Sequence, residues 1–225
     1  MIFPLTEKIG RRYALMVCAA VFEIGSLIQV LAFGHLQAIY AGRFIGGWGV
    51  GAACLIIPIY IAEISPPAIR GRLVGFFEIQ FQIGAVFGFW IPYGVNRNLP
   101  VSTQQWIIPF ALQLIPGGIL FFGMLLCRET PRWLAKSGQW EKALGNLAYI
   151  RNLPADHEYV AFEIHEMRAQ LEHEAKWEGE GNTFLKQVKE LGMKGVRNRL
   201  AIGMCMMMCQ NLTGINGYFT IHQRN

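Results

Sequence analysis

Charge is scarce in this sequence. Only 16% of its 225 residues are Asp, Glu, Lys or Arg, and mean hydropathy is +0.31; a typical soluble domain carries about 25% charge. An ordinary water-soluble fold is therefore the wrong expectation. Histidine is sparse too: His35, His157, His165, His173 and His222 fall in connectors, in one polar segment or in the tail, with no partners at triad or metal-ligand spacing. Cofactor motifs are absent, so no catalytic residue, no metal site and no enzyme is expected. The five cysteines, Cys18, Cys54, Cys127, Cys205 and Cys209, show neither paired ligand spacing nor a loop framework, and read as buried small hydrophobes. No basic face interleaved with aromatics appears, which excludes nucleic acid as a partner. The glycines of 42–51 neither match G-x-G-x-x-G nor follow a soluble strand. Residues 1–5 are too short an apolar run for a signal peptide, so the first span itself is expected to start insertion.

What the sequence has in abundance is long apolar runs. Stretches at 13–33, 38–62, 73–95 and 106–127 each reach or exceed the roughly 20 residues that a bilayer demands of a helix, and a fifth begins near 200. The fold class expected is all-α, a polytopic transmembrane helical bundle of about five membrane helices with additional cytoplasmic helices. Its lipid partner is the bilayer. The net charge of +5 reads as topological bias. Lys8, Arg11 and Arg12 precede the first span, Arg70 and Arg72 join the second and third, and Arg128, Arg132 and Lys136 follow the fourth. The positive-inside rule puts all three groups in the cytoplasm, with 34–37 and 96–105 facing outward.

From 129 to 199 the chain is polar, with helical periodicity in 139–151 and in 158–177, where Val160, Phe162, Ile164, Met167 and Leu171 recur. Asn152, Leu153 and Pro154 break it. Periodicity leaves open whether this is a solvated linker or a cytoplasmic helical latch. The expected domains are 1–127, a partial N-terminal bundle; 128–199, a cytoplasmic linker domain; and 200–225, the start of a further bundle.

Charges inside a span cost at least about 2.5 kcal/mol each unless they face protein or water. Glu23, Arg43, Glu63 and Glu78 are such residues. Glu63 is expected to pair with Arg70 at the cytoplasmic surface, and Glu23 is one possible partner for Arg43. Glu78, Gln80 and Gln82 in the third span and Gln113 in the fourth either line a polar cavity or bond helix to helix. Gln210, Asn211, Thr213 and Asn216 cluster with Gly214 and Gly217 at the start of the fifth span, where the sequon Asn211-Leu212-Thr213 is not expected to be glycosylated. Gly42/Gly46 and Gly47/Gly51 have the small-xxx-small spacing of close helix packing.

These features form a recognisable set: Glu7 to Arg12; Gly42-Arg43-Phe44; Pro58 to Pro66 with Arg70-Gly71-Arg72; Arg128-Glu129-Thr130-Pro131-Arg132-Trp133; and Gln210 to Asn216. The chain resembles the sugar-porter family of the major facilitator superfamily. Within it, 70–75, Glu78, 82–84, 88–91 and 106–110 look most like the fungal quinate-permease branch.

The resemblance implies a partial major-facilitator fold whose spans match the family's third to seventh helices. It also implies alternating access, a sugar or quinate-like polyol as cargo, a proton as coupling ion with no other cofactor, and multi-pass insertion in the plasma membrane. It assigns Glu78, Gln210, Asn211 and Asn216 to substrate contact, joined by Gln82 of the third span. Arg43 takes proton coupling, and Arg11, Arg12, Glu63, Arg70, Glu129 and Arg132 form a cytoplasmic gate network. The polar segment becomes the latch. Glu7, Thr130 and Asn211 stand where the family has Asp, Ser and Gln, and Glu78 where hexose carriers have Gln. The family's first helix, most of its second and all beyond its seventh have no counterpart here, so a truncated, non-transporting membrane protein, whether sensor, regulator or incomplete gene product, is the alternative. Oligomeric state is left open.

Overall fold

The computed structural model describes residues 6, 9–32, 34–100, 102–178, 198, 201–206 and 208–209. Among them there is no strand. Within 11–178 the described residues form eight helices in order: α1 Arg11–Val30, α2 Leu36–Ile64, α3 Arg70–Asn98, α4 Gln104–Leu112, α5 Leu114–Leu126, α6 Pro131–Lys136, α7 Trp140–Arg151 and α8 Glu158–Glu178. Among the described residues four stretches are long and apolar enough to cross a membrane: α1, α2, α3 and the α4–α5 pair, Gln104–Leu126. Each covers an expected span to within a few residues at either end. Of the fifth, helix is described at 201–206 and 208–209. Residues 1–168 form one compact unit and 169–225 another.

Helix ends follow local chemistry. Ser65 precedes Pro66, whose ring disfavours helical backbone before it, and α2 stops there with the Ser65 N–H donating to the Ile61 carbonyl at 2.9 Å. The fourth span, expected as one helix, is two. Pro116 has no N–H to offer the Leu112 carbonyl, and at Gln113 the backbone tightens to a three-residue turn, its N–H donating to the Phe110 carbonyl at 3.2 Å. Pro58 and Pro92 lie inside α2 and α3 without ending them.

The core sits between α1, α2 and α5 and is made mostly of small residues: Ala14, Leu15, Cys18, Ala52, Ala53, Ile56 and Met124. In lipid, helices gain little by hiding apolar surface from each other, so close backbone approach supplies the attraction. The glycines of α2 permit it on one face only. A Cβ on Gly42 would lie 2.7 Å from the Gly25 carbonyl oxygen, and one on Gly49 would lie 2.7 Å from that of Cys18. Gly42, Gly46 and Gly49 recur at helical spacing toward α1, whereas Gly47 and Gly51 face open space; the expected packing role of the second pair is not found. Nor are the cysteines uniformly buried. Cys18 is, but Cys54, Cys127, Cys205 and Cys209 are exposed on the helix surfaces, where a thiol is as compatible with lipid as with a core.

No residue of α3 is buried; it touches α2 and α4 and displays Phe76, Phe81, Phe87 and Trp90. In the polar segment, Val160 is fully buried with Ile164 and Met167 partly so, at spacings of four and three, while Phe162 points away at 61% exposure.

Candidate functional site: a charge network at the helix ends

The helix ends nearest the basic connectors are joined by reciprocal caps. Gly10 begins α1 with φ 99°, a conformation that suits glycine, and a Cβ there would come within 2.6 Å of Glu129 Oε2. That close approach lets Glu129 serve as the N-terminal cap of a helix more than a hundred residues earlier. Its Oε1 accepts the backbone N–H groups of Arg11 at 2.9 Å, Arg12 at 3.1 Å and Thr130 at 3.1 Å. A carboxylate is well placed there, since the first N–H groups of a helix lack internal partners and carry partial positive charge. Glu129 is itself held, its carbonyl accepting from Asn146 Nδ2 at 3.0 Å.

Arg12 makes the converse contact. Its Nε and Nη2 donate to the carbonyls of Met124 and Leu125 at 2.9 and 2.8 Å, covering the open C-terminal end of α5. Thr130 caps α6, accepting the Trp133 N–H at 3.4 Å with Pro131 at the first helical position, so Thr keeps the hydroxyl that the family's usual Ser would supply.

Arg11 reaches across to α2, its Nη2 donating to Glu63 Oε1 at 3.1 Å, with the two side chains only 12% and 10% exposed. The ion pair expected between Glu63 and Arg70 is not there: Arg70 is exposed at the start of α3, and Arg11 takes the carboxylate instead. The pair is half satisfied, because Arg11 Nη1 and Glu63 Oε2 are buried without partners. Desolvation then offsets much of the Coulombic gain.

Sequence reasoning missed the connection from α7. Arg151 Nε and Nη2 donate to Glu163 of α8 at 2.9 and 2.6 Å, while Nη1 donates to the Ile64 carbonyl at 2.8 Å, one residue from Glu63. Donating to the Glu163 carboxylate raises the arginine's pKa against the opposing effect of burial, so Arg151 stays charged throughout the physiological range. A signal was available: Arg151 stands in the last turn of a helix immediately before Asn152, which adopts the left-handed conformation at φ 52° that ends it. Tyr60 adds a further tie from α2, its hydroxyl donating to the Arg128 carbonyl at 2.8 Å. Of the six predicted network residues, then, Arg11, Arg12, Glu63 and Glu129 come together around the ends of α1, α2 and α5; Arg132 lies on α6 beside Pro131, and Arg70 stands apart.

The other predicted residues are dispersed. Arg43 lies with its guanidinium carbon 5.5 Å from the centre of the Phe110 ring and forms no ion pair with Glu23 among the described residues. Glu78 and Gln82 are exposed on α3, and Gln80 lines a cleft of about 370 Å³ with Tyr60, Ser65 and Phe76. Gln210, Asn211 and Asn216, with the sequon, lie outside the described residues.

A sequence profile of the family described as "Sugar (and other) transporter" matches residues 1–223. The chain belongs to that family. It is 48% identical to the quinate permease of Emericella nidulans and 45% identical to a probable quinate permease of Aspergillus niger, in each case over 95% of this chain and 40% of the relative. It thus spans about 40% of the length of these curated relatives. Among solved structures, the xylose transporter XylE from E. coli in a partially occluded inward-open conformation matches with a TM-score of 0.68 and 26% identity, over 76% of this chain and 44% of that one. The proton:xylose symporter XylE bound to 6-bromo-6-deoxy-D-glucose matches equally well, with a TM-score of 0.68 and 27% identity, over 76% of this chain and 39% of that one. These matches are permeases and transporters, not enzymes, and with the four apolar spans they make this sugar-transporter-family chain an integral, multi-pass membrane protein.

Proposed function

We propose that this chain forms part of a plasma-membrane carrier that moves a quinate-like cyclic polyol acid, coupled to protons, by alternating access. The observation that carries the reading is its 48% identity to a quinate permease along 95% of its length. The site's geometry agrees with a rocking mechanism: the half-satisfied Arg11–Glu63 pair ties α1 to α2, and each side chain keeps a free polar atom that could take up another partner as the helices move. In this reading Arg11, Arg12, Glu63, Arg70, Glu129 and Arg132 hold the cytoplasmic mouth, with residues 128–199 as latch between the bundle of 1–127 and the one begun at 200. Arg43 takes part in proton coupling, and Glu78, Gln82, Gln210, Asn211 and Asn216 contact the cargo.

Uptake of labelled quinate, glucose and xylose in a host without its own carriers tests this. Quinate accumulation that collapses on adding a protonophore is expected. Accumulation of hexose in preference to quinate would overturn the cargo, indifference to the protonophore would overturn the coupling, and absence of all uptake from protein shown to reside in the membrane would favour the non-transporting alternative.

A further inference from the structure

Glu23 is the one Asp, Glu, Lys or Arg between Arg12 and Arg43, and it lies in the apolar part of α1, more than two turns from the cytoplasmic network. Its Oε1 is buried with no hydrogen-bond partner, and so is the Oγ of Ser26, a fully buried residue one turn further along. Residues three apart share a helix face. The carboxyl oxygen packs against α5 at Gly117, where a Cβ would overlap both Glu23 Oε1 and the Phe22 ring. The niche thus depends on a glycine in the partner helix.

Among the described residues no cation compensates a charge there. α4 and α5 contain no titratable side chain. On α2, Arg43 rests on Phe110, Glu63 is paired with Arg11, the Tyr60 hydroxyl is given to Arg128, and Tyr40 and Cys54 are exposed. On α1 itself, Arg11 and Arg12 are engaged at the cytoplasmic end, Tyr13 is exposed and Cys18 is packed in the core. An unpaired carboxylate at membrane depth is strongly disfavoured, whereas a carboxylic acid brings its own donor. An acceptor stands on the same helix face one turn along, the orphaned Ser26 hydroxyl.

We propose that Glu23, with Ser26 and the Gly117 niche of α5, forms an intramembrane proton-binding site that holds a neutral carboxylic acid at neutral pH, separate from the cytoplasmic charge network and from Arg43. This inference needs no substrate and stands whether or not the chain takes part in uptake. Its chemical signature is an acid within lipid, reactive toward an apolar carbodiimide: the carboxyl O–H adds across a C=N bond of the reagent, and the O-acylisourea formed rearranges to an N-acylurea on the same side chain.

The test uses the whole chain in lipid nanodiscs. Infrared spectra at neutral pH should show a protonated-carboxyl band that shifts in deuterium oxide and is lost in Glu23→Gln. Dicyclohexylcarbodiimide should modify Glu23, located by mass spectrometry in the wild-type protein, so that assignment does not depend on a variant folding. Gly117→Ala should move the band and reduce the labelling. A neutral-pH spectrum unchanged by Glu23→Gln would overturn the proposal, as would the absence of both band and label from the wild-type protein.

Discussion

Arg11 and Glu63 are each buried nearly as far as a charged side chain goes, yet each leaves one polar atom without a partner. Removing either charge strands the other, which costs more than removing both. Arg11→Met and Glu63→Met should each lower stability by about 1–3 kcal/mol, measured as the shift of thermal unfolding in detergent, and the double variant should recover at least half of the summed loss. If the costs simply add, the two residues are not coupled in solution. Both residues were legible in the sequence as charges at helix ends; their pairing was not. Arg70, nearer to Glu63 in sequence, was the natural partner, and only the packing of α1 on α2 brings Arg11 closer.

At the scale of an element, the glycine stripe of α2 makes a sharp contrast. Gly49 meets α1 backbone, including the Phe22 nitrogen 2.9 Å from its would-be Cβ, whereas Gly51 meets nothing. Gly49→Ala should therefore destabilise by about 1–3 kcal/mol through overpacking, while Gly51→Ala, two residues away, should be neutral or stabilising by up to about 1 kcal/mol because alanine is the better helix former. Equal thermal shifts in the two variants would refute the assignment of faces. The helices of the polar segment depend on one side chain in a comparable way. Arg151→Met removes the two donors to Glu163 and the cover of the Ile64 carbonyl, and amide hydrogen exchange in α7 and α8 should accelerate by about tenfold or more, as loss of about 1.4 kcal/mol or more would produce. Exchange unchanged by the substitution would show that packing around Val160 alone holds these helices.

For the molecule as a whole, the segregation of charge predicts an orientation. With the native cysteines replaced, a cysteine introduced at Ser102 should react in intact cells with a membrane-impermeant thiol reagent, and one at Ser137 only after permeabilisation. The reverse pattern would invert the topology and put the Arg11–Glu63 network on the outer face. The exposed aromatic surface of α3 belongs to this scale too: Phe76, Phe81, Phe87 and Trp90 each keep more than half of their surface uncovered by the described residues, and lipid or further protein must cover the rest.

By itself the sequence determined the helical class, the four spans and the break at Asn152, because a bilayer imposes length and hydropathy on each segment independently and a turn imposes its own residues locally. It also singled out the motif that begins at Arg128, though not what its carboxylate does. Tertiary structure alone decided that Glu129 caps α1, that Arg12 closes α5, that Arg151 covers the end of α2, and that Gly49 rather than Gly51 faces a neighbour. Those partners lie as many as 118 residues apart. A hydrogen bond depends on where helix ends meet in space, and that meeting is set by the packing of small residues whose order along the chain does not say which face will be used.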